Sequence, residues 1–167
     1  MFWDLDNLGF ILSYIQQRLS ELGISLPPPR EPAFSYVPTA IFGDFCFLSG
    51  QLPWTEGSGL ITGTLGKDCS IDLGRDAARL CILNGLSVLQ RDLNDLTRIS
   101  RVIKMTGFVA CVDGFQDQPK VIDAASNFLV DIFGEAGQHA RSAVGVRQLP
   151  RGVPVEIELI LGLQSRG

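Results

Sequence analysis

One arginine and two glutamates near the end of the chain have the side chains best suited to chemistry. Arg141 lies between Ala140 and Ser142, and Glu156 and Glu158 alternate with apolar residues further along. A guanidinium holds a carboxylate through two parallel charge-assisted hydrogen bonds. A nearby carboxylate can orient a water molecule or remove its proton. The three side chains therefore predict a site that binds a small organic acid and activates water.

A two-stranded hairpin is predicted to position these side chains. β-Branched residues alternate with small or polar ones on both sides of the Leu-Pro-Arg-Gly sequence at 149–152, which is typical of a turn. A four-residue loop places Val144 opposite Ile157. It also places Val146 opposite Val155, so the apolar sides of both strands coincide, as a hairpin with one buried face requires.

The same register predicts that the polar side chains share the opposite face. Arg141 is expected roughly 13–14 Å from Glu156 along the strand, at ~3.4 Å per residue. Ala143 and Gly145 have almost no side chain and leave room for a small molecule between them. The alternative is a solvated face on which Glu158 only neutralises Arg141.

Composition places the chain among globular proteins with a substantial core. Its 167 residues are 46% hydrophobic and 19% charged, which is enough apolar material for one domain core. The net charge of −4 argues against a nucleic-acid partner, because phosphate contacts depend on clustered lysines and arginines. The apolar runs fall short of the ~20 residues that span a bilayer, and no signal peptide is recognised. We therefore expect no membrane partner.

The four cysteines indicate a reducing compartment. Cys46, Cys69, Cys81 and Cys111 show no Cys-x-x-Cys spacing, and three of them lie in apolar runs. A reduced cysteine in such a run acts as a small hydrophobic residue. This pattern predicts a cytoplasmic location and no metal site. The only histidine, His139, is expected to be exposed just before a strand rather than catalytic.

The N-terminal residues are predicted to form a separate unit. Apolar residues recur at helical spacing over 5–22, and Gly23 provides a stop signal. The proline-rich stretch at 27–32 cannot form regular structure, so it is expected to be an extended connector that holds the helix away from the domain. The predicted organisation is a helix with its connector at 1–35 and an α+β domain at 36–167.

The remaining pattern is typical of an α+β fold. Two helices are amphipathic and most strands alternate, so both helices are expected on one face of a mixed β-sheet. The other face is expected to carry the arginine and glutamates and to dock symmetry mates. The predicted elements are strands at 36–42, 45–48 and 60–65, a helix from Ser70 or Asp72 to 94–95, a strand at 98–112, a helix at 120–133 and the final hairpin.

Several of these residues together resemble a known family. They are Ala-Arg-Ser-Ala-Val-Gly-Val at 140–146, Leu-Pro at 149–150, Val-Glu-Ile-Glu at 155–158, Tyr36, and Ser-Gly-Gln at 49–51. The family that they resemble is the Rid (YjgF-like) family of reactive-intermediate deaminases, and the resemblance covers about residues 36–163. The extra N-terminal helix is similar to that of a less-characterised branch of this family.

The resemblance implies a chorismate-mutase-like fold assembled as a homotrimer, with a ligand cleft at each subunit interface. It implies hydrolysis of reactive 2-imino or 2-enamino acids, the products of pyridoxal-phosphate dehydratases, to 2-keto acids and ammonia, with no cofactor. Arg141 corresponds to the arginine that binds the substrate carboxylate, and Glu156 to the glutamate that holds the attacking water. The implied substrate-binding positions are Tyr36, Ser49, Gly50, Asp123, Ser142 and Ala143.

Two positions depart from the deaminase pattern. Ala143 stands where many members have a cysteine, and Asp123 stands approximately where they have an asparagine. The alternative function is a trimer that binds a small carboxylate or keto acid for sensing, without turnover. A ribonuclease activity, which has also been attached to the family, is disfavoured by the acidic net charge.

Overall fold

A five-stranded sheet and two long helices form the frame of the molecule. The computed structural model describes residues 14–15 and 17–165. Short 3-10 turns there occupy Leu96–Arg98, Gly134–Gly137 and Pro150–Gly152. The strands are β1 (Thr39–Phe42), β2 (Phe45–Gln51), β3 (Trp54–Thr55), β4 (Gly59–Leu60), β5 (Ile99–Ala110), β6 (Ala140–Val146) and β7 (Val155–Leu163), and the long helices are α1 (Ile71–Leu93) and α2 (Gln118–Phe133).

The large sheet has the strand order β1-β2-β7-β5-β6. β5 runs parallel to β6 and antiparallel to β7. The predicted hairpin between β6 and β7 is therefore wrong, because β5 lies between these strands. Val144 and Val146 pair with Phe108 and Ala110 of β5 and not with β7. The physical reason is α2, which supplies the long crossover that a parallel pair of strands needs.

Both long helices pack on the sheet and against each other, as the sequence predicts. Ser70 caps α1 by accepting a hydrogen bond from the backbone N–H of Leu73 at 3.1 Å, and Asn94 ends it in the left-handed region at φ 63°. Gly107 lets α2 approach β5 closely, since a Cβ there would lie 2.6 Å from Ile122 Cδ1. No helix in the described ranges is long and apolar enough to span a membrane.

The sheet face opposite the helices carries exposed apolar side chains. Phe42, Phe45 and Phe47 are 82%, 46% and 44% exposed, and Val144 of β6 is 43% exposed. Alternation along each strand directs these residues away from the helices. Large apolar groups gathered on one face are typical of a protein interaction surface.

The N-terminal segment packs against the domain. Residues 14–15 and 17–21 are helical, and the rest of the predicted helix lies outside the described residues. Ile15 is 4% exposed in the main core, and Arg18 Nε donates to the carbonyl of Asp131 at 3.0 Å. The expectation that the connector holds the helix away is therefore wrong, because the helix buries apolar side chains in that core.

Details of the first hairpins differ from expectation. β1 begins at Thr39, so Tyr36 precedes the strand. β2 continues through Gln51, three residues beyond the strand expected at 45–48. The strand expected at 60–65 is reduced to β4, which pairs with β3, an element that the sequence did not reveal. Strands of two residues are too short to show a period.

Candidate active site

A cavity of about 580 Å³ opens beside the ends of β2 and β7. Its wall includes five of the residues singled out from the sequence, which are Tyr36, Ser49, Gly50, Glu156 and Glu158. The volume lies within the range of pockets that hold small organic ligands. The first hairpin and the last strand therefore meet at one concave site, although they are far apart in the sequence.

Glu156 is the group in this cavity best placed for proton chemistry. It is half-buried and pairs across the sheet with Phe108, on the face opposite the helices. The backbone of Gly50 lies against its carboxylate, and a Cβ at Gly50 would overlap Glu156 Oε1. Burial, and then the negative charge of Glu158, raise the pKa of Glu156 above the usual value for a glutamate. This carboxylate therefore takes up a proton more readily than an exposed one.

Ser49 holds the segment that carries Tyr36 beside the cavity. Its hydroxyl donates to the carbonyl of Val37 at 2.8 Å, and its backbone N–H donates to the carbonyl of Pro38 at 2.9 Å. Tyr36 is 50% exposed at the cavity wall. The hydroxyl of Ser49 thus anchors the chain, and the phenol ring of Tyr36 is accessible to a ligand.

Arg141 lies on the edge strand β6, outside this cavity. It pairs with Met105, whose side chain is fully buried beneath the helices, so Arg141 lies on the helix side of the sheet. The predicted face shared by Arg141, Glu156 and Glu158 is therefore wrong, because the glutamates lie on the opposite side. The error follows from the wrongly predicted hairpin. Because β5 lies between β6 and β7, these strands do not pair, and their residues do not face one another in the predicted register.

A hydrogen-bond network orients the guanidinium of Arg141. Its Nη1 donates to Asp123 Oδ1 at 2.6 Å and to Ser126 Oγ at 3.0 Å, both on α2. Ser126 Oγ lies 3.2 Å from His139 Nε2, and His139 Nδ1 lies 2.6 Å from the carbonyl of Gly137. Because a carbonyl only accepts, His139 Nδ1 donates to the carbonyl of Gly137. His139 is thus half-buried and bonded, not exposed as expected.

The hydrogen bonds from Arg141 to Asp123 and Ser126 both use the same nitrogen, Nη1. Among the described residues, its Nε and Nη2 atoms make no hydrogen bond, and the side chain is 25% exposed. A guanidinium has five N–H groups in a planar fork. Asp123 can therefore orient Arg141 while leaving one side of the fork for an anion.

The residues after Arg141 fall on opposite sides of the sheet. Ser142 accepts a hydrogen bond from Lys104 Nζ at 2.8 Å and pairs with Thr106, on the face away from the helices. Ala143 is half-buried and packs against the main core. The predicted site residues thus form two separate groups: Tyr36, Ser49, Gly50 and Glu156 at the cavity, and Arg141, Asp123, Ser142 and Ala143 near the far edge.

The sequence did not reveal that the N-terminal connector supplies part of the cavity wall. Arg30 and Phe34 line the cavity together with Trp54 and Arg151. The Cζ atom of Arg30 lies 3.5 Å from the centre of the Trp54 ring. The prolines around Arg30 indicate an extended chain but carry no information about where that chain lies.

The buried cysteines are poor nucleophiles. Burial raises the pKa of the Cys46 thiol to about 11 and that of Cys81 well above its usual value. Both thiols therefore stay protonated near neutral pH. Within residues 14–15 and 17–165, no three His, Cys, Asp or Glu side chains lie close enough together to hold a metal ion.

Comparison with protein families gives a match over most of the chain. Residues 16–153 match the family described as "YjgF/chorismate_mutase-like, putative endoribonuclease". The chain belongs to the Rid (YjgF-like) family. The resemblance seen in the sequence motifs and the chorismate-mutase-like α+β fold that it implied are both confirmed.

Individual proteins are similar to this chain over nearly their full length. The crystal structure of the protein Atu1372 from Agrobacterium tumefaciens, of unknown function, has a TM-score of 0.85 and 41% identity, and the match covers 95% of this chain and 99% of that chain. Protein TCP17 of Trypanosoma cruzi is 40% identical over 152 residues, 90% of this chain and 95% of TCP17. The 2-iminobutanoate/2-iminopropanoate deaminase of Dermatophagoides farinae is 28% identical over 142 residues, 84% of this chain and 95% of the deaminase.

Proposed function

We propose that this protein hydrolyses reactive 2-imino and 2-enamino acids to 2-keto acids and ammonia. The observation that carries the proposal is the carboxyl group of Glu156, which lies half-buried in a cavity, against Gly50, with a raised pKa. Such a group is suited to take a proton from water. The similarity to a named imine deaminase supports the same reaction.

The proposed active unit is a homotrimer in which Arg141 of one copy completes the cavity of the next. β6 lies at the sheet edge, where backbone groups can pair with another chain. The exposed face with Phe42, Phe45 and Phe47 provides apolar area for assembly. The four free cysteines are consistent with the cytoplasmic location that we also propose.

In the proposed mechanism, the free side of the Arg141 fork holds the substrate carboxylate, and Asp123 and Ser126 keep that fork oriented. Glu156 takes a proton from water as the oxygen adds to the C=N carbon, and the nitrogen receives that proton. The hydroxyl proton then passes to the same nitrogen. The C–N bond breaks, ammonia leaves, and a 2-keto acid remains.

A coupled assay tests this proposal. A pyridoxal-phosphate dehydratase generates 2-iminobutanoate, and the appearance of 2-oxobutanoate is followed with and without the protein. The wild type should accelerate hydrolysis, and Arg141→Ala should reduce kcat/KM on the order of 100-fold through loss of a charge-assisted contact. Arg79→Ala, which removes an exposed arginine of α1 outside the cavity, is the matched control.

Two results would contradict the proposal. Unchanged acceleration by Arg141→Ala refutes the role of this guanidinium. A wild-type protein that binds 2-oxobutanoate without accelerating hydrolysis favours the alternative function, a trimer that binds or senses small carboxylates.

A further inference from the structure

A cationic side chain from the N-terminal connector forms part of the cavity wall. The guanidinium of Arg30 rests on the indole of Trp54, with its Cζ atom 3.5 Å from the ring centre. Attraction between the cation and the face of the aromatic ring holds the two groups together. Stacking occupies the flat face of the guanidinium and leaves the N–H groups at its edge for hydrogen bonds.

Polar contacts fix the surface beneath this guanidinium. Asn84 of α1 is 7% exposed, and its Nδ2 donates to the carbonyls of Leu52 and Trp54, both at 3.0 Å. In the connector, Glu31 accepts a hydrogen bond from Arg91 Nη1 of the same helix at 3.0 Å. Because these bonds hold the Trp54 segment and the connector in place, less conformational entropy is lost when a ligand binds beside Arg30.

Arg30 has no carboxylate partner in the described part of the chain. Its neighbour Glu31 is paired with Arg91. Glu156 and Glu158 line the same cavity, but neither forms an ion pair with Arg30 within residues 14–15 and 17–165. An exposed guanidinium that stacks on an aromatic ring at a cavity wall, with no carboxylate of the described residues within salt-bridge distance, is suited to an anionic group of a ligand.

We propose that Arg30 binds a second carboxylate, at the far end of the substrate's side chain. The inference rests on the proposed function, in which Arg141 binds the first carboxylate. It identifies the preferred substrates as 2-imino acids with an acidic side chain, which correspond to dicarboxylic amino acids. The cavity of about 580 Å³ has room for a side chain longer than that of 2-iminobutanoate.

Calorimetric binding of two 2-keto acids to the full-length protein tests the inference. The probes are 2-oxobutanoate, with one carboxylate, and 2-oxoglutarate, with two. The wild type should bind 2-oxoglutarate more tightly. Arg30→Gln should weaken 2-oxoglutarate about 10-fold, as expected for one charge-assisted contact, and leave 2-oxobutanoate unchanged. Arg30→Lys should retain part of the preference because it keeps the charge but loses the fork.

A control separates this effect from general damage. Arg79→Gln removes an exposed arginine outside the cavity and should change neither affinity. Thermal melting of Arg30→Gln shows whether the connector stays folded. The inference is overturned if Arg30→Gln binds 2-oxoglutarate as tightly as the wild type, or if it weakens both keto acids equally.

Arg141→Ala distinguishes this inference from the proposed function. This variant should lose affinity for 2-oxobutanoate, because that ligand has only the first carboxylate. If it keeps 2-oxobutanoate while Arg30→Gln selectively loses 2-oxoglutarate, the assignment of Arg141 fails and Arg30 still binds the second carboxylate. If Arg141→Ala loses both ligands and Arg30→Gln loses neither, only the Arg30 inference fails. If neither keto acid binds the wild type, both fail.

Discussion

The cavity at Glu156 and the sheet edge at Arg141 carry complementary chemical groups in different surroundings. Glu156 lies in a concave pocket formed by the connector, β2 and β7, where burial raises its pKa. Arg141 lies at an open edge, where Asp123 and Ser126 hold one of its nitrogens. Glu156 lies in a pocket that does not include Arg141 of the same copy, and Arg141 is held in one orientation outside that pocket.

This difference shows how sheet topology divides residues that the sequence places close together. β5 separates β6 from β7, so the strands that carry Arg141 and Glu156 are about 10 Å apart at ~4.8 Å per strand step. Their side chains also project from opposite faces. One copy of the chain therefore contains both groups without bringing them together, and the proposed trimer supplies the missing contact.

Removing the carboxylate of Glu156 should have the largest effect on catalysis. Glu156→Gln keeps the size of the side chain but cannot accept a proton from water, so kcat for 2-iminobutanoate should fall about 10²–10⁴-fold. Binding of 2-oxobutanoate, which depends on Arg141 in the proposed mechanism, should change little. Steady-state kinetics and calorimetry measure the two effects. Full activity in Glu156→Gln would mean that another group activates the water.

Displacing the acid should have a smaller effect. The Cβ in Gly50→Ala would push the Glu156 carboxylate aside, and this flexible group can move without disturbing the fold. We expect kcat to fall about 10- to 100-fold, as for a misplaced catalytic group, with an unchanged melting temperature. Gly162→Ala, in the same sheet, is the control. Wild-type kcat in Gly50→Ala would show that the close approach is not needed.

Changing only the electrostatics around the acid should have the smallest effect. The negative charge of Glu158 adds to burial in raising the pKa of Glu156, so Glu158→Gln should lower that pKa. Glu156 acts as a base in its ionised form. The fall in activity on acidification should therefore occur at lower pH in Glu158→Gln than in the wild type. A kcat/KM profile against pH measures the shift, with the exposed Glu135→Gln as the control. A profile that does not move, or moves to higher pH, contradicts the assignment of Glu156.

Local sequence signals predicted the elements of the fold well. Ser70 and Asn94 mark the two ends of α1 because their side chains and backbone angles satisfy the unpaired groups of a helix terminus. The β-branched and apolar residues at 98–112 predicted β5, again from local sequence alone. Family motifs identified Tyr36, Ser49, Gly50 and Glu156, which line one cavity.

Long-range pairing was harder to predict. The alternation in β6 and β7 fits a hairpin as well as it fits two strands that flank β5, so local pattern alone could not choose between them. The order strand, helix, strand at β5, α2 and β6 was the available signal, since it is typical of a parallel crossover. The contact of Arg30 with Trp54 had no such signal, because neither segment shows periodicity.

The central claim is a divided site, in which Arg141 of one copy and Glu156 of another act together. Mixing two inactive variants tests it most directly. Arg141→Ala and Glu156→Gln chains are unfolded together, refolded as a mixture and assayed with 2-iminobutanoate. If each site joins Arg141 of one copy to Glu156 of another, equal mixing should restore about a quarter of wild-type activity, because each site draws its two halves from independent chains. If both residues act within one chain, the mixture stays as inactive as either variant alone, and the divided site is contradicted.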